Sequence, residues 1–155
     1  MRAPRIESFG HIDLTVTDGE RSAKWWTEVL GYRLIATMGR PSFQVWSLHH
    51  ACGVPVGLVV HEAGKSAPAD ERHPGLDHFA FRVRDRAALE EWAEHLDGLG
   101  VPHSGIQEEN GGPLITVRDP DNIQVELWAF DPASVKLGEA TDRDLYLTYH
   151  GDVTD

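Results

Sequence analysis

The sequence predicts an α+β fold made of two related modules, each consisting of a strand, a helix and further strands. The eight residues from His11, His-Ile-Asp-Leu-Thr-Val-Thr-Asp, correspond to His-Phe-Ala-Phe-Arg-Val-Arg-Asp from His78, with His, Val and Asp repeated 67 positions later. Trp25 and Trp92 each follow their histidine by 14 residues. In both copies, an alternating apolar pattern is followed by a helical apolar period. The chain is therefore a tandem duplication.

The correspondence between the modules extends to their last strands. Gly31 and Gly100 follow the two histidines by 20 and 22 residues, so only two inserted residues separate the copies. A further 26 residues lead from these glycines to Gly57 in the first module and to Glu126 in the second. The duplication therefore places a carboxylate in the second module where the first has only a glycine.

The composition indicates a single self-folding domain. At 155 residues the chain can bury roughly two-thirds of its unfolded surface. The formal net charge of −11 argues against a nucleic acid or an anionic membrane as partner, since neither attraction nor counterion release is available. Cys52 is the sole cysteine, which excludes an internal disulfide, and no apolar run resembles a signal peptide or a membrane span. We therefore expect a soluble, cytoplasmic protein.

In the first module, a helix directly follows a strand. Residues 11–16 alternate between polar and apolar side chains, which is the period of a half-buried strand. Residues 17–20, Thr-Asp-Gly-Glu, match a capping box, and Gly31 can end the helix in the left-handed conformation. The apolar stripe of this helix consists of Ala23, Trp26 and Leu30.

The second module repeats this order. Asp85 is a candidate N-cap, and residues 100–102, Gly-Val-Pro, stop the helix. The apolar positions at helical spacing are Leu89, Trp92, Ala93, Leu96 and Leu99. Across both modules, short apolar runs bounded by turn residues predict strands at 42–48, 54–61, 114–118 and 123–128. The Asp-Pro-Asp-Asn sequence at 119–122 predicts the turn that joins the last two strands.

Two segments lack a hydrophobic period. Residues 64–75 are rich in small, charged and proline residues, which is typical of a solvated linker. Residues 131–155 have no counterpart in the first module, and their acidic composition predicts a flexible tail. Alternatively, this segment docks as an arm through Leu145, Tyr146, Leu147 and Tyr149.

The histidines that begin the two related strands face away from the predicted helices. His11 and His78 lie opposite the apolar side chains that pack against those helices, and Glu126 alternates with Val125 and Leu127 in the same way. If the modules assemble into one curved sheet, this face becomes a concave cavity. Two imidazoles and one carboxylate from separate strands would form a metal site with open coordination positions, which catalysis requires. A lone strand histidine is more often solvated, but the duplication maps one of these histidines onto the other.

These motifs resemble the vicinal oxygen chelate superfamily, which includes glyoxalase I, extradiol dioxygenases and bleomycin-binding resistance proteins. The resemblance spans about residues 6–130. It rests on His11, on the Gly-Leu-Asp-His sequence at 75–78, and on the Arg-Asp-Pro-Asp-Asn-Ile-Gln-Val-Glu sequence at 118–126.

The resemblance implies one domain over residues 1–130, built of paired βαβββ modules at about 6–63 and 76–130. It also implies a homodimer that acts on a small-molecule substrate by chelating it through neighbouring oxygens. The divalent metal would be bound by His11, His78 and Glu126. Related folds pair their modules both within and between chains, so whether one chain or two supply these ligands stays open.

Within this superfamily, Gly57 favours the extradiol dioxygenases. Glyoxalase I-like enzymes take a fourth ligand, a glutamate, from the strand position that Gly57 occupies. Two histidines and a carboxylate with vacant positions are instead the arrangement of non-haem Fe(II) oxygenases. His61, four residues after Gly57, resembles the second-sphere histidine that handles protons in extradiol enzymes, although it could equally end its strand in solvent. The substrate cavity is expected to include Phe43, Trp46, Thr116, Gln124 and Trp128.

Two other functions stay open. Extradiol enzymes usually carry a tyrosine where this chain has Thr116, and they usually have two paired-module domains. The chain is therefore alternatively a metal-dependent lyase, isomerase or thiol transferase that uses Mn, Ni, Co or Zn. A third interpretation is a resistance protein that sequesters an aromatic or cationic antibiotic. The acidic surface suits such a ligand, but these binders normally lack the metal triad.

Overall fold

The described part of the chain forms two compact units, each with one helix and a four-stranded mixed sheet. This architecture confirms the predicted α+β fold of paired βαβββ modules. The first unit extends to residue 69 and includes residues 119–122, and the second comprises residues 70–118 and those from 123 onwards. The computed structural model describes residues 4, 8–62 and 67–135. The tail and docking-arm interpretations of residues 136–155 lie outside these residues.

The sheet of the first unit has the strand order β1-β4-β3-β2, with β1 parallel to β4 and the other pairs antiparallel. Its helix buries the predicted stripe, and Trp26 has no exposed surface. The elements are β1 (Ile12–Thr15), α1 (Gly19–Leu30), β2 (Arg33–Arg40), β3 (Phe43–His49) and β4 (Val56–His61). Gly31 ends α1 with φ of 71°, as predicted.

The first turn of α1 differs from the predicted capping box. Asp18, not Thr17, is the N-cap, and its carboxylate accepts a hydrogen bond from the Arg21 amide at 3.0 Å. The Thr17 hydroxyl instead donates to the Asp121 carboxylate at 2.5 Å. The Thr17 side chain, which the local sequence pattern assigned to the N-cap, therefore makes a tertiary hydrogen bond to Asp121 instead.

The predicted turn at residues 119–122 packs against the start of α1. Asp121 is only 2% exposed, and besides Thr17 its carboxylate accepts from the Ser22 hydroxyl at 3.0 Å and from Arg21 at 3.1 Å. Asp119 accepts from the Trp26 indole nitrogen at 3.3 Å. The turn is thus held by charge-assisted hydrogen bonds, which are about twice as strong as neutral ones.

The Asp121 carboxylate should make the stability of the protein depend on pH. Burial alone would raise the pKa of Asp121, but hydrogen bonds from Thr17 and Ser22 and the charge of Arg21 together hold it below its usual value. A depressed pKa stabilises the folded state above the unfolded-state value of about 3.9, and this contribution is lost as pH falls through the folded-state pKa. We expect Asp121→Asn to lower the free energy of unfolding by roughly 1–3 kcal/mol near neutral pH.

Urea denaturation between about pH 3 and pH 7 checks this pH dependence. The difference in unfolding free energy between the parent and Asp121→Asn should be largest near about pH 7 and should decrease as the pH is lowered towards about 3. Glu28→Gln, a change on the exposed side of α1, is the matched control and should leave the profile unaltered. Parallel pH profiles for the parent and Asp121→Asn would contradict the assignment.

The sheet of the second unit has the order β5-β8-β7-β6, with β5 parallel to β8. The apolar face of β8 is fully buried, with Val125 at 0% and Leu127 at 2% exposure. The elements are β5 (His78–Arg82), α2 (Arg86–Leu99), β6 (Gln107–Glu109), β7 (Gly112–Arg118) and β8 (Gln124–Trp128), followed by a short 3-10 helix (Pro132–Ser134). No described helix is long and apolar enough to cross a membrane.

The ends of α2 agree with the sequence, but three of its five predicted apolar positions are not fully buried. Asp85 caps the helix by accepting from the Ala88 amide at 2.9 Å, and Gly100 ends it with φ of 66°. Leu89 and Leu96 are completely buried, whereas Leu99 is 48% exposed. Leu99 is the last residue of the helix, directly before the Gly100 cap.

Candidate metal centre

His78 and Glu126 come together on adjacent strands of the second unit. In the parallel pairing of β5 with β8, Ala80 lies opposite Glu126, and its small side chain leaves room for the carboxylate beside the imidazole. His78 Nε2 and Glu126 Oε2 are 3.6 Å apart. The Glu126 side chain is only 14% exposed, so its carboxylate is largely withdrawn from water. These two atoms are of the types that bind first-row divalent metals.

Asp77 holds the other side of the His78 ring. Its carboxylate lies 2.5 Å from His78 Nδ1, within hydrogen-bond distance of that nitrogen, while Nε2 faces Glu126. Metal-binding histidines almost always have such a partner, which fixes the tautomer and makes the ligand more basic. Asp77 was not among the residues predicted from the sequence, although its position directly before the histidine was an available signal.

His11 lies in the first unit, at the residue before β1. Its Nε2 is 3.7 Å from Asp13 Oδ2, and both side chains line an open groove of about 480 Å³ together with Phe43. Within residues 8–62 and 67–135, no three His, Cys, Asp or Glu side chains are grouped closely enough to hold a metal ion. The structure thus shows a histidine and carboxylate pair in each unit.

Asp13 lies over Gly57, the position in the first module that corresponds to Glu126 in the second. Asp13 and Gly57 are register partners on β1 and β4, and a Cβ atom at Gly57 would lie 2.0 Å from Asp13 Oδ1. The counterpart of Asp13 in the second module is Ala80, opposite Glu126. Each unit therefore carries one carboxylate on this strand pair, but on opposite strands. Asp13 was not predicted as a site residue, although its position two residues after His11, on the same face of the strand, was a signal for it.

The aromatic residues predicted to line the cavity divide between two faces. Phe43 lines the groove beside His11, but Trp46 does not. Trp46 is three residues further along β3, so it points to the opposite face, where its ring packs against Gly19 of α1. The predicted role of Trp46 in the cavity is therefore corrected. Trp128 shares the face of Glu126, and its ring packs edge-on against Phe130 with centroids 4.7 Å apart.

The remaining predicted residues lie near one of the two candidate pairs. Thr116 and Gln124 line a second open groove, of about 520 Å³, together with Glu126. Thr116 is the register partner of Glu126 on β7. His61 is exposed at the end of β4, with its ring 5.8 Å from that of Phe43. Its acid or base role stays a prediction.

A chain of hydrogen bonds that the sequence did not predict leads from Glu126 to the segment between the modules. Gln124 Nε2 donates to Glu126 Oε1 at 3.3 Å, and Gln124 Oε1 accepts from Arg118 at 2.9 Å. Arg118 also donates to both carboxylate oxygens of Glu71, at 2.7 and 3.1 Å. These hydrogen bonds lower the pKa of Glu71 and raise that of Arg118. The segment predicted to be a solvated linker therefore contributes a paired, only one-third exposed carboxylate.

Comparison with known proteins assigns the family. The sequence profile of the glyoxalase/bleomycin resistance protein/dioxygenase superfamily matches residues 8–127. The chain belongs to this superfamily. Among solved structures, the glyoxylase/bleomycin resistance protein/dioxygenase domain from Frankia sp. EAN1pec has a TM-score of 0.76 and 28% identity, covering 82% of this chain and all of that one. The superfamily fold thus extends over both units.

Individual members of the superfamily that resemble this chain differ in activity. Catechol-2,3-dioxygenase of Bacillus subtilis is 28% identical over 130 residues, which cover 81% of this chain and 42% of that protein. Glutathione transferase FosA of Serratia marcescens is also 28% identical, over 123 residues that cover 79% of this chain and 80% of that protein. The chain spans only about two-fifths of the dioxygenase. Members of the superfamily generally bind a divalent metal and act on small molecules.

Proposed function

We propose that the protein is an Fe(II)-dependent, extradiol-type dioxygenase that acts on an aromatic substrate with two neighbouring oxygens. The observation that carries this proposal is the pair of His78 Nε2 and Glu126 Oε2, which are 3.6 Å apart. The other ring nitrogen of the histidine, Nδ1, lies 2.5 Å from the Asp77 carboxylate. His11 would complete the two-histidine, one-carboxylate set of non-haem Fe(II) oxygenases. The resemblance to catechol-2,3-dioxygenase supports the same reaction class.

The side chains present fit a divalent metal and an aromatic substrate. Imidazole and carboxylate donors suit Fe(II), and the bound metal would supply open coordination positions for the substrate oxygens and for dioxygen. Asp77 fixes the ring orientation of His78, so the ligand is preorganised. Phe43 offers an apolar wall against which an aromatic ring can stack.

His61 would handle the proton of the substrate in this reaction. Its ring lies against Phe43, and an imidazole can accept a proton from a substrate hydroxyl and return it near neutral pH. The reaction would break the O–O bond and the ring carbon–carbon bond next to the two substrate oxygens. Both atoms of dioxygen would be retained in the ring-opened product, so no external reductant is needed.

Protein purified without air should contain about one Fe(II) per site and consume dioxygen with a catechol panel. An oxygen electrode and metal analysis measure the two quantities, and His78→Ala serves as the control that should show neither. The proposal would be contradicted if iron-loaded protein took up no dioxygen with any aromatic substrate that carries two neighbouring oxygens.

A metal-dependent lyase, isomerase or transferase is the second candidate, and Asp13 favours it. A carboxylate 3.7 Å from His11 could provide a fourth protein ligand from the strand opposite Gly57, which would leave fewer positions for dioxygen. The resemblance to FosA covers most of that protein. Turnover without air, with Mn, Ni, Co or Zn bound, would favour this candidate over the oxygenase.

We also propose that the protein is a cytoplasmic homodimer. β2 is an edge strand whose apolar side chains remain exposed, by 48% at Leu34, 55% at Ile35 and 47% at Met38. A second copy of the chain covering this edge would remove apolar surface from water and pair with β2, whose outer edge has no partner strand among the described residues. Light scattering at micromolar concentration should give twice the chain mass, and a monomeric mass would contradict the dimer.

A further inference from the structure

We propose that Gln124 is a positioning residue that fixes the Glu126 carboxylate for metal binding, and that the Arg118–Glu71 ion pair holds Gln124 in the required orientation. This inference rests on the proposed metal centre. Gln124 donates to Glu126 Oε1 at 3.3 Å, while Oε2 of the same carboxylate faces His78 Nε2 at 3.6 Å. Glu126 Oε1 is thus hydrogen-bonded to Gln124, and Oε2 lies beside the His78 imidazole.

Arg118 determines which way the Gln124 amide points. A guanidinium has only donors, so the amide oxygen must face it, and the NH₂ group must then face Glu126. The observed contacts have this sense, with Gln124 Oε1 accepting from Arg118 at 2.9 Å. The reversed amide would place two donors together at Arg118 and two acceptors together at Glu126. Arg118 therefore acts on Glu126 through Gln124.

Glu71 keeps Arg118 in place and compensates its charge. Two guanidinium nitrogens of Arg118 donate to separate carboxylate oxygens of Glu71. This bidentate geometry fixes the orientation of the guanidinium group. An uncompensated guanidinium near Glu126 would compete with a metal for that carboxylate. Paired with Glu71, Arg118 can orient the amide while Glu126 retains its charge for a cation.

The pairing of β7 with β8 makes this arrangement rigid. Arg118 and Gln124 are register partners on neighbouring strands, and Gln124 and Glu126 are two residues apart on one face of β8. A carboxylate that is already oriented loses less rotational freedom when it binds a metal. The chain of contacts is therefore expected to raise metal affinity rather than merely to support the strand.

Replacing the amide by a side chain of similar length tests this role. We expect Gln124→Met to weaken the binding of Co²⁺ by roughly 10–100-fold and to change the intensity of its visible absorption bands. Chelator competition with the full-length protein measures the affinity. The matched control is Gln44→Met on β3, which makes the same chemical change at an exposed strand position and should leave both quantities unaltered.

Variants of Arg118 separate positioning from support of the fold. Arg118→Met should weaken Co²⁺ binding nearly as much as Gln124→Met, whereas Arg118→Lys retains a donor for the amide oxygen and should restore most of the affinity. The double variant Gln124→Met with Arg118→Met should bind no more weakly than Gln124→Met alone, since one residue acts through the other. Additive losses, or equal affinities of the lysine and methionine variants, would overturn the inference.

Glu126→Ala distinguishes failure of this inference from failure of the metal centre. If Glu126→Ala binds Co²⁺ as tightly as the parent, the proposed ligand set itself is refuted. If it loses the metal while Gln124→Met binds normally, only the positioning role is refuted. Should the metal-free Gln124→Met protein unfold at lower urea than Gln44→Met, the comparison of the two Arg118 variants decides.

Discussion

His78→Ala and Glu126→Ala are each expected to abolish specific metal binding and reduce activity to background. Apparent binding free energies of structural zinc sites are about 10–16 kcal/mol. Loss of one of three protein ligands from a comparable site would therefore weaken binding by roughly 10³-fold or more, at about 1.4 kcal/mol per factor of ten. The catalytic loss follows because the substrate oxygens would be chelated by that metal.

Metal analysis and Co²⁺ titration of each variant measure this effect, with far-UV circular dichroism to confirm that the fold is retained. His73→Ala and Glu91→Ala are the matched controls because both side chains are exposed, and they should bind metal like the parent. Stoichiometric metal of unchanged affinity in both His78→Ala and Glu126→Ala would show that any bound metal lies elsewhere.

The duplication made the fold predictable because it repeats positions that depend on local chemistry. Asp85, Gly31 and Gly100 could be assigned from capping preferences alone, and the structure confirms all three. β2 and β6 could not be placed in this way. Both lie at sheet edges, and their side chains are mostly exposed, so neither shows the alternation that marks a half-buried strand.

For the candidate site, the sequence could predict only which side chains share a strand face, because side chains alternate between the two faces of a strand. His78 and Glu126 share a face because of strand parity and register, and the structure places them 3.6 Å apart. The same parity rule assigns Phe43 and Trp46 to opposite faces of β3, because the two residues are three positions apart. Glu71 is different, since its contact with Arg118 depends on the path of an irregular segment that has no sequence period.

Trp26→Ala is expected to cause the largest loss of stability, because Trp26 combines complete burial with a tertiary hydrogen bond. Its ring packs edge-on against Tyr32 with centroids 5.2 Å apart, and its indole donates to Asp119. Removing a buried tryptophan lowers the free energy of unfolding by about 3–5 kcal/mol. Trp26→Phe should lose less, because it keeps most of the apolar packing and forfeits mainly one hydrogen bond of about 1 kcal/mol.

Trp25→Ala is the matched control for this prediction. Trp25 is the tryptophan that the repeat aligns with Trp92, yet the structure leaves both half-buried and uses the next residue, Trp26, to fill the core. Urea denaturation followed by far-UV circular dichroism avoids the change in fluorescence that any tryptophan substitution brings. The helical period directs Trp26 towards the sheet and Trp25 away from it, so Trp25→Ala should lower the free energy of unfolding less. Equal decreases for Trp25→Ala and Trp26→Ala would contradict this prediction.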